Sequence, residues 1–353
     1  MSARPLRGND KQQIALSKFA QRRLWLKSGA TQRLETATIW ARRDFRPTDP
    51  DVSFHLLSAI CYLLFAKLSM LPNSLLPLIE DLKTVPGIRA IVLGGSRARG
   101  SGDASSDTDV GIYYDPERPL EVAALEQVAA RRDDRKQLGL VTSVGGWGPW
   151  INGGGWLRVD GSAVDLLYRD TARVESVIDS CIAGHIEAVY QPGHPLGFLS
   201  SIYAGEIAVC QALWDPTGWV ASRKNRLVDY PEALRGEFVR RFGFEAGFCL
   251  LIAEKPVRRA DVSYVAGCVF RAVSCLLVVL FALNREHWLN EKGALRLAGR
   301  FRTVPLGLCE RLEAIWGSVV KDSDSLTAAL AMVRELNEEV KALVEKEGLR
   351  FGT

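Results

Sequence analysis

A six-residue apolar run, Ile88 to Leu93 (IRAIVL), stops on Gly94-Gly95-Ser96, and after the ten residues Arg97 to Ser106 the chain resumes as Asp107-Thr108-Asp109-Val110-Gly111-Ile112-Tyr113. The first run reads as a buried strand that a glycine turn ends. The second reads as a neighbouring strand over Asp107 to Tyr114. Because alternate residues of a strand share a face, Asp107 and Asp109 project together, while Val110 and Ile112 project to the opposite, apolar side. Two adjacent carboxylates repel, so the arrangement costs stability unless a cation lies between them. Hard oxygen donors of this kind suit Mg²⁺, which keeps waters or phosphate oxygens in its shell.

The turn suits the same chemistry. Gly94 and Gly95 are expected to take positive φ and let the backbone approach a ligand, and the Ser96 hydroxyl with the amides after it can hold phosphate oxygens. A third carboxylate, Asp165, interrupts the apolar strand Val164-Asp165-Leu166-Leu167. With three acids, two Mg²⁺ ions about 3.5–4 Å apart can activate an acceptor and stabilise a leaving pyrophosphate. The combination therefore reads as a site for a nucleoside triphosphate with metal. The Walker pattern GxxxxGK[ST] and the dinucleotide fingerprint GxGxxG are both absent, which argues against a P-loop or NAD reading.

Around this stretch the spacing predicts a helix from Asn73 or Ser74 to about Thr84, with Leu75, Leu76, Leu78, Ile79 and Leu82 as its apolar stripe. A second helix is expected over 119–131. Asp160-Gly161 predicts a tight hairpin turn into a strand from Ala163 to Tyr168. Beyond Pro231 the pattern changes to long apolar-periodic segments at about 232–254, 260–284, 307–319 and 324–346, with a polar break near 222–231. The fold class expected is α+β: a small mixed β-sheet domain with flanking helices over 70–225, then an all-α helical bundle over 226–353.

Residues 1–69 are set apart as a basic extension, which lies upstream of the working protein if Met70 is the start. The first 50 residues hold eleven Lys and Arg against four Asp and Glu, and the remainder 34 against 37. No groove-reading motif accompanies the basic segment, so a solvated extension is favoured over a nucleic-acid or lipid contact. The runs Leu56 to Ala66 and Ala272 to Leu283 both fall short of the roughly 20 apolar residues of a membrane span and read as buried helices. The first 30 residues lack a signal-peptide pattern, so a cytoplasmic location with no membrane partner is expected. Seven cysteines lie among apolar neighbours without a CxxC pair, and four histidines are scattered, which argues for a reducing compartment and against zinc.

The interval between GGS and DTDVGIY, followed by a lone acid in AVDLLYRD, resembles the DNA polymerase β-like nucleotidyltransferase superfamily, and within it the small bacterial branch that includes kanamycin-type and other antibiotic nucleotidyltransferases. The resemblance covers residues 74–225 by motif, and the helical remainder agrees in kind. It implies that Gly95 and Ser96 bind the triphosphate, that Asp107 and Asp109 hold metal, and that Asp165 is the third catalytic, metal-holding acid. It also implies Mg²⁺-dependent transfer of a nucleoside monophosphate, AMP from ATP, to a hydroxyl of a small-molecule acceptor. A protein acceptor, as in antitoxin-like relatives, and a noncatalytic nucleotide-binding module are the alternatives. A closed, aromatic-lined pocket would favour a small acceptor and an open groove a protein.

Further candidates surround this core. Arg97 and Arg99 flank the turn and can neutralise triphosphate charge, or simply be solvated. Trp147, Trp150 and Trp156 can stack on a base or acceptor ring, or pack in the core. Lys292, in His287-Trp288-Leu289-Asn290-Glu291-Lys292-Gly293, resembles the part of related helical domains that reaches into the cleft and contacts phosphate. Asp165 is the default general base, with Glu206 and Glu254 as outside choices. Nucleic acid is not expected as a partner, and a homodimer stays open.

Overall fold

The computed structural model describes residues 73–100, 102 and 106–353. The expectations for residues 1–69 and for a start at Met70 lie outside the described residues. The chain divides into two units, 1–69 and 70–353, and every described element belongs to the second.

A 3₁₀ turn, Asn73–Leu75, leads into helix α1 (Leu76–Leu82), whose Leu78, Ile79 and Leu82 are buried. Strand β1 (Ile88–Leu93) follows, then a short helix α2 (Gly95–Ala98) and strand β2 (Thr108–Tyr114). The sequence predicts a turn at Gly94-Gly95-Ser96, whereas the helix α2 already begins at Gly95. Helix α3 (Val122–Arg132) precedes the hairpin β3 (Gly154–Val159) and β4 (Ser162–Asp170). The hairpin turns on Asp160 and Gly161, both at positive φ, and the Asp134 carboxylate clasps the turn by accepting both of its amides at 3.0 and 2.9 Å.

Helix α4 (Thr171–Ile182) is capped by Asp170, whose carboxylate accepts the amides of Ala172 and Arg173. Strands β5 (Ala188–Val189) and β6 (Phe198–Leu199) form a separate two-stranded sheet. Helix α5 (Ile202–Val209), strand β7 (Gln211–Trp214) and helix α6 (Trp219–Asn225) complete the first portion. The rest is helical: α7 (Glu232–Val257), α8 (Val262–Leu283), the short α9 (Ala294–Ala298), α10 (Leu308–Gly317) and α11 (Ser323–Lys346). The four longer ones match the expected apolar-periodic segments, and α9 lies in a stretch where no helix is expected.

The main sheet runs β3-β4-β2-β1-β7. Only β2 and β4 pair in parallel, so the sheet is mixed as expected. Its two faces have different fates. Val110, Ile112 and Tyr114 of β2, with Val164, Leu166 and Tyr168 of β4, bury against α1 and α3. On the other face Ala90, Val92 and Tyr113 join one continuous core with α4, α5 and the long helices. That core also shows why α8 is apolar on nearly every side. It is long and apolar enough to cross a membrane, but most of it is buried against α7, α11 and the sheet side of the molecule. The helices leave part of this second face open near the start of β2, and the acids project there.

Candidate active site

Two glycines behave differently at the end of β1. Gly94 is extended, at φ −113, and its amide donates to the Asp109 carbonyl at 2.8 Å, which continues the β1–β2 ladder. The expectation of positive φ therefore fails at Gly94, because the strand pairing runs one residue further than the apolar pattern does. Gly95 does take positive φ, +59, and a Cβ there would lie 1.7 Å from Asp109 Oδ2. No L side chain fits that position without moving the carboxylate. We expect Gly95→Ala to displace Asp109 and to lower nucleotidyl transfer by about 100-fold, the scale on which an ångström of misplacement acts. The measurement is steady-state pyrophosphate release. Activity close to wild type would show that the turn and the carboxylate do not work together.

Asp109 and Asp165 are register partners across the parallel β2–β4 pair, so their side chains stand side by side on the same face. Asp107 lies just before β2 and is exposed. Burial pushes the Asp109 carboxyl up to about 6, and the charges of Asp165, Glu206 and Asp107 add to the shift against a partial offset by Lys292. Burial also raises the Asp165 carboxyl, with Asp107 adding and Lys292 opposing. Lys292, on the segment between α8 and α9, is near enough for its charge to oppose these shifts, though it makes no ion pair with either aspartate among the described residues.

The other candidates are held differently. Arg97 spans the turn: its Nε donates to the Asp107 carbonyl at 3.2 Å and its Nη2 to the Ser106 carbonyl at 2.6 Å, which fixes the backbone leading into β2. Arg99 points into the helical portion, where its Nη2 donates to the His287 carbonyl and its guanidinium lies 6.0 Å from the Phe281 ring. Burial lowers its pKa, opposed by Glu286. This contact ties the glycine turn to the segment that carries Lys292. Ser96 sits at the start of α2, and its carbonyl accepts the Gly102 amide at 3.0 Å.

Neither conceivable ion pair of Asp165 forms. Arg158 donates to the Gly161 carbonyl, and Arg169 is forked by Glu206, with Nη2–Oε1 at 2.6 Å and Nε–Oε2 at 2.7 Å. Arg169 also donates to the carbonyls of Ile151 and Tyr168. Burial pulls its pKa down, but the Glu206 carboxylate more than compensates and the net shift is upward. Glu206 is thus occupied, and Glu254 pairs with Arg334 at 2.7 Å on α7. Asp165 is the acid of the three with an open position.

The tryptophans divide. Trp150 packs against Phe198 and Tyr203 at the edge of the core. Trp147 and Trp156 stack on each other, with ring centroids 4.6 Å apart. Trp156 is the register partner of Asp165 across the β3–β4 hairpin, a neighbour hidden in the sequence because 139–159 reads as one Gly-rich and Trp-rich stretch. The alternation Trp156-Leu157-Arg158-Val159, exposed and buried in turn, is the signal that could have found it.

Among the described residues no three Asp, Glu, His or Cys side chains close on one point as a ready-made metal cage. Mg²⁺ seldom needs one, because it binds through one or two carboxylates and completes its shell with water and substrate phosphate. The donor set here fits that habit. Asp109 and Asp165 offer hard oxygens in register, and the Asp109 carboxyl is raised chiefly by burial, with the neighbouring carboxylates adding to it.

Residues 77–145 match the family model described as the nucleotidyltransferase domain. The match contains β1, the glycine turn and β2, and ends before the strand of Asp165. Of solved structures, a nucleotidyltransferase-like protein from Exiguobacterium sibiricum 255-15 aligns over 76% of this chain and 77% of its own, at 10% identity and a TM-score of 0.36. A comparison with curated proteins gives no match. The matched domain, which holds Asp107, Asp109 and the glycine turn but not Asp165, supports a nucleotidyltransferase. Residues 77–145 are thus similar to a nucleotidyltransferase domain, and a run of helices follows them.

Proposed function

We propose that the enzyme transfers AMP from ATP to a hydroxyl of a small-molecule acceptor, with Mg²⁺ held by Asp107, Asp109 and Asp165 and with pyrophosphate as the leaving group. The observation that carries this reading is the shared register of Asp109 and Asp165 opposite the Gly95 turn. When bound, the metal polarises the α-phosphate and offsets charge on the leaving pyrophosphate. The missing Cβ at Gly95 lets the Asp109 carboxylate lie directly against the turn, so a triphosphate held by the Gly95-Ser96 backbone would sit beside that acid. Lys292 supplies the positive charge that the acids already feel. As the acceptor oxygen bonds to the α-phosphorus and the bond to pyrophosphate breaks, the Asp165 carboxylate takes the hydroxyl proton. Its raised pKa suits that role.

The test is pyrophosphate release from ATP with Mg²⁺, with and without a panel of alcohols, compared between the wild type and Asp165→Asn. We expect alcohol-dependent release in the wild type and a loss of at least about 100-fold in the variant. Release that persists in Asp165→Asn, or that needs no divalent cation, would overturn the assignment. A second reading, transfer to a protein hydroxyl, is favoured by one observation: the aromatic surface beside Asp165 is open, with Trp156 63% exposed. Label from [α-³²P]ATP appearing on protein rather than on a small product would select it.

A further inference from the structure

Four elements form a row across the open face of the sheet. The Gly94-Gly95 turn follows β1, Asp109 stands on β2, Asp165 on β4 and Trp156 on β3, in the spatial order of the strands. Directly opposite residues of an antiparallel pair place their side chains together on one face, so the Trp156 indole stands beside Asp165 on the side away from Gly95. It is 63% exposed, which is unusual for so large an apolar ring next to a charged site.

The ring is also supported from behind. Trp147 stacks on it at 4.6 Å with 28° between the planes, and Gln191 donates to the Trp147 carbonyl at 2.9 Å. Room for that stack comes from Gly154, where a Cβ would lie 2.7 Å from the Trp147 ring and 1.9 Å from the Leu166 carbonyl. The indole face is thus held in place and left open.

In phosphoryl and nucleotidyl transfer the attacking and leaving oxygens lie roughly in line across phosphorus. With the triphosphate at the Gly95 end, the leaving pyrophosphate is on that side and the acceptor must enter from the Asp165 and Trp156 side. We propose that Trp156, backed by Trp147, is the platform on which the acceptor stacks, and that the acceptor is a ring compound, sugar or aromatic, with an apolar face and the accepting hydroxyl on the ring or one atom from it. The inference rests on the proposed direction of transfer. A ring over Trp156 carries its hydroxyl back to Asp165 across one strand spacing, about 5 Å.

The test uses the full chain with ATP and Mg²⁺ and three acceptors: methyl glucoside, benzyl alcohol and the open-chain glycerol. The quantity read is the ratio of kcat/KM for each ring alcohol to that for glycerol. We expect at least one ring to be preferred, and Trp156→Ala to reduce that preference about tenfold or more, on the scale of ring stacking, while Trp156→Phe keeps most of it. The two ring arms show whether a sugar or an aromatic ring is taken. An equal ratio in wild type and Trp156→Ala, including no ring preference in either, overturns the platform and leaves the proposed transfer standing. Asp109→Asn is the separate control: pyrophosphate release that survives in it, or none from the wild type with any acceptor or water, overturns the underlying reading instead.

Discussion

Asp109→Asn is expected to abolish nucleotidyl transfer and, at the same time, to make the metal-free protein more stable at neutral pH. The first effect, a loss of about 100-fold or more, follows from removing one of the charged oxygens proposed to hold Mg²⁺ while keeping the side chain's size. The second follows from the carboxyl itself. Its pKa is about 6 in the folded chain against 3.8 for the free group, chiefly because of burial. The folded state therefore binds the proton more tightly than the unfolded state, and stability is lost as pH rises through the interval from 3.8 to about 6. Above that interval the full penalty is present, on the order of 1–3 kcal/mol. Asparagine carries none of it. Thermal melts at pH 7.5 without divalent cations should show the variant higher by about 3–8 °C, and the gap should close near pH 4. Added Mg²⁺ should raise the melting temperature of the wild type and have little effect on the variant. A variant that melts at or below the wild type at pH 7.5 would mean that Asp109 is not held against its charge.

Arg169→Met carries the largest expected cost to stability. The guanidinium is almost fully buried, forked to Glu206 through contacts of 2.6 and 2.7 Å, and lies 5.0 Å from the Tyr203 ring. Removing it leaves Glu206 charged and unpartnered beside the core and deprives the Ile151 and Tyr168 carbonyls of a donor. A loss of about 3–5 kcal/mol is expected. The double variant Arg169→Met with Glu206→Gln should recover part of that loss, because the stranded charge is gone, but not all, because the two carbonyls stay unserved. A thermal or denaturant double-mutant cycle measures this directly. Equal stability of the single and double variants would show that Glu206 is not left as a costly unpartnered charge when Arg169 is removed. Glu206→Gln has a further reading: Glu206 is one of the charges that raises Asp109, so its removal should lower the pH at which Asp109 titrates.

The strands and long helices were legible in the sequence where one physical signal dominated. Ile88 to Leu93 is apolar throughout and bounded by a glycine turn, and the segments after Pro231 repeat at helical spacing over many turns, so both were readable with little tertiary information. The approach of Asp165 to the strand of Asp109 was legible because a carboxylate inside an apolar strand is a local contradiction that demands a partner. What could not be read was which neighbour each charged residue chose. Arg169 follows Asp165 by four residues in the chain, but on a strand that spacing separates the two groups, and the arginine meets Glu206 from a helix 37 residues further on. Arg97 and Arg99 sit beside the glycine turn in sequence, yet backbone carbonyls hold both. The start of α2 hid behind glycine and serine, which favour turns. Strand β3 hid inside a glycine-rich stretch, where only the last four residues alternate.

The clasp at the Asp160-Gly161 turn has a consequence for how such a site can diversify. Because side chains alternate from face to face along a strand, the length of that turn sets the parity of everything on β3 relative to β4. One inserted residue would carry Trp156 and Arg158 beneath the sheet and bring Leu157 and Val159 up beside Asp165, and a second insertion would restore the original display. What β3 displays beside Asp165 is therefore governed by an odd-or-even count at a hairpin tip, several residues away from Asp109 and Asp165 and independent of them. Asp134, by holding both amides of the turn, keeps that count fixed.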